Sequence, residues 1–299
     1  MKTLYIPIDY HKRDSNPELF TDILWGLNME ATDDGQIYTD LQHAVDFKPD
    51  IILYQGSLSK KILTTIKEET GAKVIMWTGD CSYFPPQSFM EMRDVVDHFI
   101  VPFSGDVALN YQRILQRPVH FLWEPIQDWR FRRPKEMNSG PIVFVGNQYE
   151  HLPGNEIRSE LCTFIKSRVP ELELYGNIAG SKGEIPYTNV PDLYNNAYIV
   201  ICENNHHDVD NYFTPRNIGA MAAGSCSLHR TFPGIDKVFE GLDLGYHYNH
   251  KYELLQAINF LKHNPEIRNR IAVSSHKYAR NNFNTSAWGE ELIQILNKL

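Results

Sequence analysis

Short runs of apolar residues recur along the first half of the chain, and segments with a helical spacing of apolar and polar positions separate them. Uniformly apolar runs of this length are typical of parallel strands buried on both faces. Regular alternation of such strands with helices predicts a doubly wound parallel sheet. The predicted strands are 4–8, 50–54, 73–77, 99–102 and 119–122, and the predicted helices are 17–29, a segment after Ser57, 89–98 and 107–115.

Residues 125–141 interrupt this rhythm with prolines, a glycine and a basic aromatic cluster, a composition suited to an interdomain connection. The alternation then restarts, with predicted strands at 142–145, 172–175, 198–202 and 225–228, helices at 156–168 and 191–196, and a helical tail from 252 onward. We therefore expect a first domain of residues 1–125, a linker of 126–141 and a second domain of 142–299. The expected fold class is α/β, with two Rossmann-like doubly wound domains facing a cleft.

The composition of the chain limits the kinds of molecule that it can bind and the compartment in which we expect it. At 299 residues and 42% hydrophobic content the chain can bury a large core, and its formal charge of −8 gives no overall attraction to nucleic acid or anionic membranes. Four cysteines without a CxxC pair indicate buried free thiols in a reducing compartment. No apolar run reaches the roughly 18 residues of a membrane helix, and the N-terminus lacks a signal-peptide pattern. We expect a cytoplasmic protein without a membrane span.

The segment from Thr214 to Gly224 predicts a short helix whose first turn can hold an anion. Thr214 is a suitable N-cap, Pro215 suits the first helical position, and Gly224 lies where a left-handed residue ends a helix. The apolar run 198–202 precedes it, so the helix begins at the carboxyl edge of the sheet, where α/β proteins bind ligands. Free N–H groups favour a phosphate there, and Arg216 adds a permanent positive charge. We predict a diphosphate site.

Other polar residues follow predicted strands and are weaker candidates. Gly146 and Asn147 end the first strand of the second domain, and an ordinary turn is the alternative explanation. Asp80 follows the strand 73–77 and is a candidate catalytic or acceptor-binding group, with a turn cap as the alternative. His11 follows the first strand and is a candidate catalytic residue, with a simple polar loop as the alternative.

Two clusters suggest partners that the rest of the chain does not favour. The loop 206–210 holds two histidines and an Asp-x-Asp pair, but that pair is a frequent chance match, so we expect no metal. The cluster 129–133 interleaves aromatic rings with arginines, as single-strand nucleic-acid sites do. A linker that packs its rings and exposes its arginines is the preferred interpretation in an acidic chain.

In their order, these motifs resemble the C-terminal half of a GT-B glycosyltransferase, and they are most similar to the group related to spore maturation proteins. The first half of the chain matches only as a compatible α/β pattern. Order and spacing, rather than any single motif, make the resemblance specific. The residues that carry it are 142–147, Arg158, 190–197, the helix start 214–216 and the stretch 220–224.

The resemblance implies an enzyme that moves a hexose or related sugar from a nucleoside diphosphate sugar, such as a UDP-sugar, to an unknown acceptor. It implies retention of configuration, no metal and no further cofactor. Arg216 would neutralise the diphosphate leaving group, and Gly146 and Asn147 would let the backbone approach the donor. The remaining implied donor contacts are Tyr194, Glu203, Asn211, Thr214, Pro215 and Asn217, while Asp80 and His11 are the catalytic candidates beside Arg216.

The chain departs from the family pattern at two positions, and this departure leaves alternative functions open. Many retaining members carry glutamates where this chain has Asn211 and Gly219, so Asp208, Asp210 or Glu203 would have to substitute in binding the donor. A catalytically silent module that binds a nucleotide, a glycan or a partner protein is one alternative. An enzyme that glycosylates modified DNA bases is the other, and it would use Arg130, Arg132 and Arg133 as a basic groove.

Overall fold

A computed structural model describes residues 1–7, 23–24, 26–29, 34–56, 58–127, 140–148, 155–239 and 243–298. The chain divides into two compact units. The first combines Met1–Pro125 with Asn284–Leu299, and the second is Ile126–Phe283. No helix within the described ranges is long and apolar enough to cross a membrane.

The first unit contains a six-stranded parallel sheet. Its strands are β1 (Thr3–Ile6), β2 (Gly35–Ile37), β3 (Ile51–Tyr54), β4 (Lys73–Trp77), β5 (His98–Val101) and β6 (Val119–Phe121), in the order β2-β1-β3-β4-β5-β6. The sequence predicted five of these strands. It missed β2, because three residues with a glycine and a glutamine do not form an apolar run; this strand is recognisable only by its pairing with β1.

Before its last helix, the first unit contains four helices with described bounds, and the first two of them begin at a side-chain cap. They are α1 (Leu41–Phe47), α2 (Lys60–Thr70), α3 (Gln87–Met92) and α4 (Gly105–Leu115). The Asp40 side chain accepts a hydrogen bond from the His43 N–H and so satisfies a free donor at the start of α1. The predicted helix 89–98 is shorter than expected, because the backbone turns after Met92 and β5 begins at His98.

The second unit contains a five-stranded parallel sheet in the order β11-β10-β9-β7-β8. Its strands are β7 (Ile142–Val145), β8 (Leu172–Tyr175), β9 (Ile199–Cys202), β10 (Cys226–Arg230) and β11 (Tyr246–Tyr248). Its helices are α5 (Asn155–Lys166), α6 (Val190–Asn196), α7 (Pro215–Ala222), α8 (Ile235–Phe239), α9 (Lys251–His263) and α10 (Pro265–Asn282). Every residue of β9 is buried, as its uniformly apolar sequence predicted.

The last helix, α11 (Thr285–Leu296), belongs to the first unit and not to a continuous second domain of 142–299 as the sequence suggested. Its apolar face joins the core of the first sheet, where Trp288 contacts Trp77 at a ring distance of 5.4 Å. The helix also makes a second close contact, with the backbone at Gly26: a Cβ on Gly289 would lie 1.5 Å from the Gly26 carbonyl oxygen. The helical tail is thus divided between the units, with α9 and α10 in the second.

The sequence predicted two parallel α/β sheets, and both are confirmed. All four cysteines are buried and free, also as predicted. Most of the predicted linker, residues 128–139, lies outside the described residues, and so does most of the predicted helix 17–29.

Candidate functional site

Helix α7 starts directly beyond the loop that leaves β9. Thr214 occupies the N-cap position with extended backbone, and Pro215 is the first helical residue. Gly224 adopts the left-handed conformation, with φ 72°, just after the helix ends. The Thr214 hydroxyl does not cap the helix. It lies 3.0 Å from the Asn204 side-chain oxygen and 2.7 Å from the Asn217 side-chain oxygen instead. The first-turn N–H groups are therefore not capped by this side chain.

Arg216 connects the ends of two neighbouring strands. Its Nε donates to the Val145 carbonyl at 2.7 Å, and Nη1 donates to the Glu203 carbonyl at 2.9 Å. Val145 ends β7 and Glu203 follows β9, so the guanidinium lies at the carboxyl edge of the second sheet, as the sequence predicted. The side chain is half-buried. Nη2 faces Gly146, where an added Cβ would lie 3.4 Å away.

Arg158 is a second arginine at this edge, and sequence reasoning did not assign it to the site. It lies on α5 and is only 4% exposed. Nη1 donates to the Asn147 carbonyl at 2.7 Å, and Nη2 donates to the Glu203 carbonyl at 3.0 Å. A signal was present in the sequence: Arg158 shares a helical face with Leu161, Cys162 and Ile165, where an ordinary helix places an apolar residue.

The two guanidinium groups converge on one carbonyl oxygen, that of Glu203. Burial, together with the positive charge of Arg216, lowers the pKa of Arg158 to about 10. In the described parts of the chain, neither arginine forms an ion pair with a carboxylate, since both bond to backbone carbonyls. A pair of adjacent cations that lacks a carboxylate partner favours a bound anion.

The Glu203 carboxylate makes no hydrogen bond to these arginines in the described parts of the chain, although its negative charge partly offsets the lowering of the Arg158 pKa. It accepts hydrogen bonds from Arg230 Nη1 at 2.7 Å and from the Tyr248 hydroxyl at 2.8 Å, and the side chain is buried. Burial and the nearby Glu203 charge raise the pKa of Tyr248 well above its usual range. Glu203 therefore contributes its backbone carbonyl to the site. Its side chain bonds to residues of β10 and β11 and so holds the loop after β9 against these strands.

Gly146 and Asn147 form a turn that packs against a second Gly-Asn turn after β8. Gly176 has φ 101°, and a Cβ there would lie 2.2 Å from the Gly146 carbonyl oxygen. The Asn147 side-chain oxygen accepts a hydrogen bond from the Asn177 N–H at 2.8 Å. The sequence predicts only an ordinary turn at this second position, after β8. The structure shows that it supports the first and keeps the Asn147 carbonyl in reach of Arg158.

Three further predicted donor contacts have packing roles inside the second unit. Tyr194 is buried in a cluster with apolar residues of the sheet. Asn217 is fully buried, and its Nδ2 lies 2.9 Å from His229 Nδ1. Asn211 is mostly buried, adopts a left-handed backbone conformation with φ 56° and lies against Gly234. These roles account for the burial of all three residues, and a contact with the donor stays a prediction for each.

In the first unit, Asp80 is exposed just beyond β4, and its backbone N–H bonds to the Thr78 hydroxyl at 3.1 Å. His11 lies outside the described residues, as does the basic cluster 129–133. Sequence reasoning missed Glu124, which follows β6: its carboxylate lies against Gly79, next to Asp80.

The loop 206–210 offers no cluster of metal ligands. His207 Nε2 lies 3.3 Å from Arg230 Nη2, and burial together with the Arg230 charge lowers the pKa of His207. Across the described residues, no group of three or more His, Cys, Asp or Glu side chains is arranged to hold a metal ion.

Residues 135–294 match the model of a protein family described as glycosyl transferase-like. No curated protein sequence matches the chain. Among solved structures, HepE from Anabaena in complex with UDP-glucose is similar, with a TM-score of 0.63 at 11% identity, and the similarity covers 100% of both chains.

Two other solved structures are similar over nearly their whole length. Sucrose-phosphate synthase from Thermosynechococcus elongatus has a TM-score of 0.63 at 10% identity, covering 100% of this chain and 99% of that one. A glycosyltransferase from Rickettsia africae ESF-5 has a TM-score of 0.62 at 11% identity, covering 99% and 98%. At such low identity these likenesses establish a common fold.

Proposed function

Because the chain belongs to the glycosyl transferase-like family and has the GT-B fold, we propose that this glycosyltransferase takes its sugar from a nucleoside diphosphate sugar. The second unit, Ile126–Phe283, holds the donor in this proposal. The sugar passes to an acceptor hydroxyl. The finer likeness to the spore maturation group stays a prediction.

The observation that carries the proposal is the convergence of Arg158 and Arg216 on the Glu203 carbonyl. As the bond between the sugar and the diphosphate breaks, negative charge grows on the phosphate oxygen. Two guanidinium groups fixed beforehand by backbone carbonyls stabilise that charge without reorganising during the reaction. The first turn of α7 adds the backbone N–H of Arg216, since Pro215 has no N–H and the Asn217 N–H bonds to the Thr214 carbonyl.

The neighbouring turns suit a donor that lies close to the backbone. Gly146 carries no side chain on the surface that faces Arg216 Nη2, and Gly176 allows the two Gly-Asn turns to approach each other. UDP-glucose is the first donor to test, because HepE was crystallised with it.

Metal independence is part of the proposal, since Arg158 and Arg216 supply the positive charge that a divalent cation supplies in other transferases. Turnover should therefore be unchanged when EDTA is added to the dialysed protein. A loss of turnover that Mg²⁺ or Mn²⁺ restores would contradict metal independence. It would not contradict the proposal that the donor is a nucleoside diphosphate sugar.

The resemblance also implies retention of the anomeric configuration, whereas Asn211 and Gly219 stand where many retaining members carry glutamate. Proton NMR of the first sugar product distinguishes the two outcomes, because α and β anomers give different couplings at C1.

The central test is a panel of nucleotide-sugars, read as thermal stabilisation of the protein and as release of nucleoside diphosphate. We expect one donor to give both signals. Arg216→Ala should lower the release rate by about 10²–10³-fold, the usual effect of removing one charge-stabilising donor. Arg158→Lys should reduce it less, because lysine keeps the charge and loses the two-carbonyl geometry.

Arg168→Ala is the matched control, since Arg168 is an exposed arginine just beyond the end of α5. Stabilisation without release in the presence of candidate acceptors would favour the alternative of a binding module. No stabilisation by any donor would contradict the proposed site.

A further inference from the structure

A buried polar network of Thr214, Asn217, His229 and Ser227 connects the start of α7 to β10 inside the second unit. The Thr214 hydroxyl lies 2.7 Å from Asn217 Oδ1, and Asn217 Nδ2 lies 2.9 Å from His229 Nδ1. His229 Nε2 lies 2.7 Å from the Ser227 hydroxyl. Asn217, Ser227 and His229 are fully buried, and Thr214 is mostly buried. Such deep burial is unusual for polar side chains, because each of them loses its contacts with water.

The hydrogen bonds of this network have one direction at the imidazole. An amide NH₂ group only donates, so His229 Nδ1 has to accept from Asn217, and His229 Nε2 carries the proton and donates to Ser227. Burial, and secondly a positive charge on His247, lower the pKa of His229 well below its usual range, so the ring is neutral. A neutral ring suits the network, because a proton on Nδ1 would place two donors against each other.

Packing fixes the imidazole ring in this orientation. Phe213 and Phe239 lie against it, at ring distances of 5.8 and 5.1 Å. A Cβ on Gly245 would lie 2.5 Å from His229 Cδ2 and 2.8 Å from His229 Nε2, so the backbone at Gly245 occupies one side of the ring. The ring therefore cannot turn away from Asn217 without displacing its neighbours.

The network also leaves the start of α7 open to a ligand. As an ordinary N-cap, the Thr214 hydroxyl would accept a hydrogen bond from an N–H group of the first turn. Here it lies against the side chains of Asn204 and Asn217, and the Asn217 N–H bonds to the Thr214 carbonyl. The Arg216 N–H keeps no acceptor among the described residues.

We propose that His229 is a positioning residue of the donor site: through Asn217 it holds the first turn of α7, so that the Arg216 N–H and guanidinium meet the diphosphate. The proposal rests on the donor site proposed above. Arg216 directly precedes Asn217, and its guanidinium already bonds to the ends of β7 and β9. Apolar side chains could pack the helix at a lower desolvation cost, whereas a fully bonded polar network also fixes its orientation.

Hydrolysis of UDP-glucose, or of another donor that the panel identifies, tests the proposal at a temperature where every variant is folded. His229→Leu keeps the core apolar and removes the acceptor of the Asn217 amide. Its kcat should fall by about 10–10²-fold with a smaller change in KM, because the phosphate charge that Arg216 stabilises grows in the transition state. His229→Asn should restore most of kcat, since its amide oxygen takes the place of Nδ1.

His276→Leu is the matched control. His276 is a second buried histidine that contacts α7, and its Nδ1 lies 2.6 Å from the Ala222 carbonyl at the other end of that helix. This change should lower the Tm of the protein and leave kcat close to the native value. If His229→Leu does not fold, His229→Gln replaces it, because the longer amide bonds to Ser227 and presents no acceptor at the position of Nδ1.

A native kcat in His229→Leu, or in its glutamine replacement, would overturn the role of His229 and leave the donor site standing. The same conclusion would follow if His276→Leu or His229→Asn lost as much kcat as His229→Leu, because the rate would then depend on core packing in general. If the native protein releases no diphosphate from any donor, the proposed function fails, and the role of His229 fails with it.

Discussion

At the scale of single residues, each of the two units holds a group whose surroundings disfavour its ionisation, a cation in the second unit and a carboxyl group in the first. In the second, Arg158 is buried beside another cation, and in the first, Glu124 is desolvated beside Asp80. Neither arrangement helps the isolated chain to fold, since like charges repel and burial disfavours ionisation. Both costs are offset when a ligand supplies the missing charge or hydrogen bond, which is why perturbed groups mark functional sites.

The raised pKa of Glu124 makes a prediction about stability. The folded protein holds this proton to about pH 8, while the unfolded chain releases it near 4.5. Between these values the folded state binds more protons, so the stabilisation present below pH 4.5 is lost as pH rises towards 8. Glu124→Gln removes this dependence. Its free energy of unfolding relative to the native protein should increase with pH by at most about 1.4 kcal/mol per unit.

Urea unfolding at several pH values between 4.5 and 8 measures the difference. Glu69→Gln, a change at an exposed glutamate of α2, should give a difference that does not vary with pH. A constant difference for Glu124→Gln would mean that the carboxyl group is not desolvated in the folded protein.

At the scale of elements, close contacts at glycine join segments that are distant in sequence. Gly176 lets the turn after β8 reach the turn after β7, and Gly289 lets α11 touch the backbone at Gly26. Sequence analysis identified the helix in the tail but not its partner. A glycine inside a helix weakens the isolated element, so its presence indicates a requirement imposed by packing.

Gly289→Ala tests this requirement. In an isolated helix the change would stabilise by about 1 kcal/mol, yet here the new Cβ would lie 1.5 Å from the Gly26 carbonyl oxygen. We expect a net loss of about 1–3 kcal/mol in the unfolding free energy, as for other overpacked contacts. Glu290→Ala, at an exposed position of the same helix, should be close to neutral, and equal behaviour of the two variants would contradict the contact.

At the scale of the whole molecule, the division into units does not follow chain order, because the first unit contains both ends of the described chain. Trp288, Leu292 and Leu296 complete the apolar cluster on one face of the first sheet. The second unit has its own cluster, built from its sheet and from α5, α9 and α10.

A protein ending at Phe283 should therefore lose order in the first unit. We expect faster hydrogen exchange in peptides from β1, β3 and β4, since removal of α11 exposes their apolar face to water. Peptides from β7, β9 and β10 should exchange as in the full chain. Equal acceleration in both units would show that the second unit depends on α11 as well.

The sequence alone determined the two parallel sheets and the start of helix α7, because apolar runs, caps, prolines and glycines act over a few neighbouring residues. The tertiary structure decided which distant groups meet. Arg158 reaches the Glu203 carbonyl across 45 residues, Glu124 reaches Gly79 from the end of another strand, and α11 returns to the first sheet. These contacts depend on strand order and on which segments approach each other at glycine. A helical glycine or a charged residue on an apolar face is visible in the sequence, but the distant partner that it meets is not.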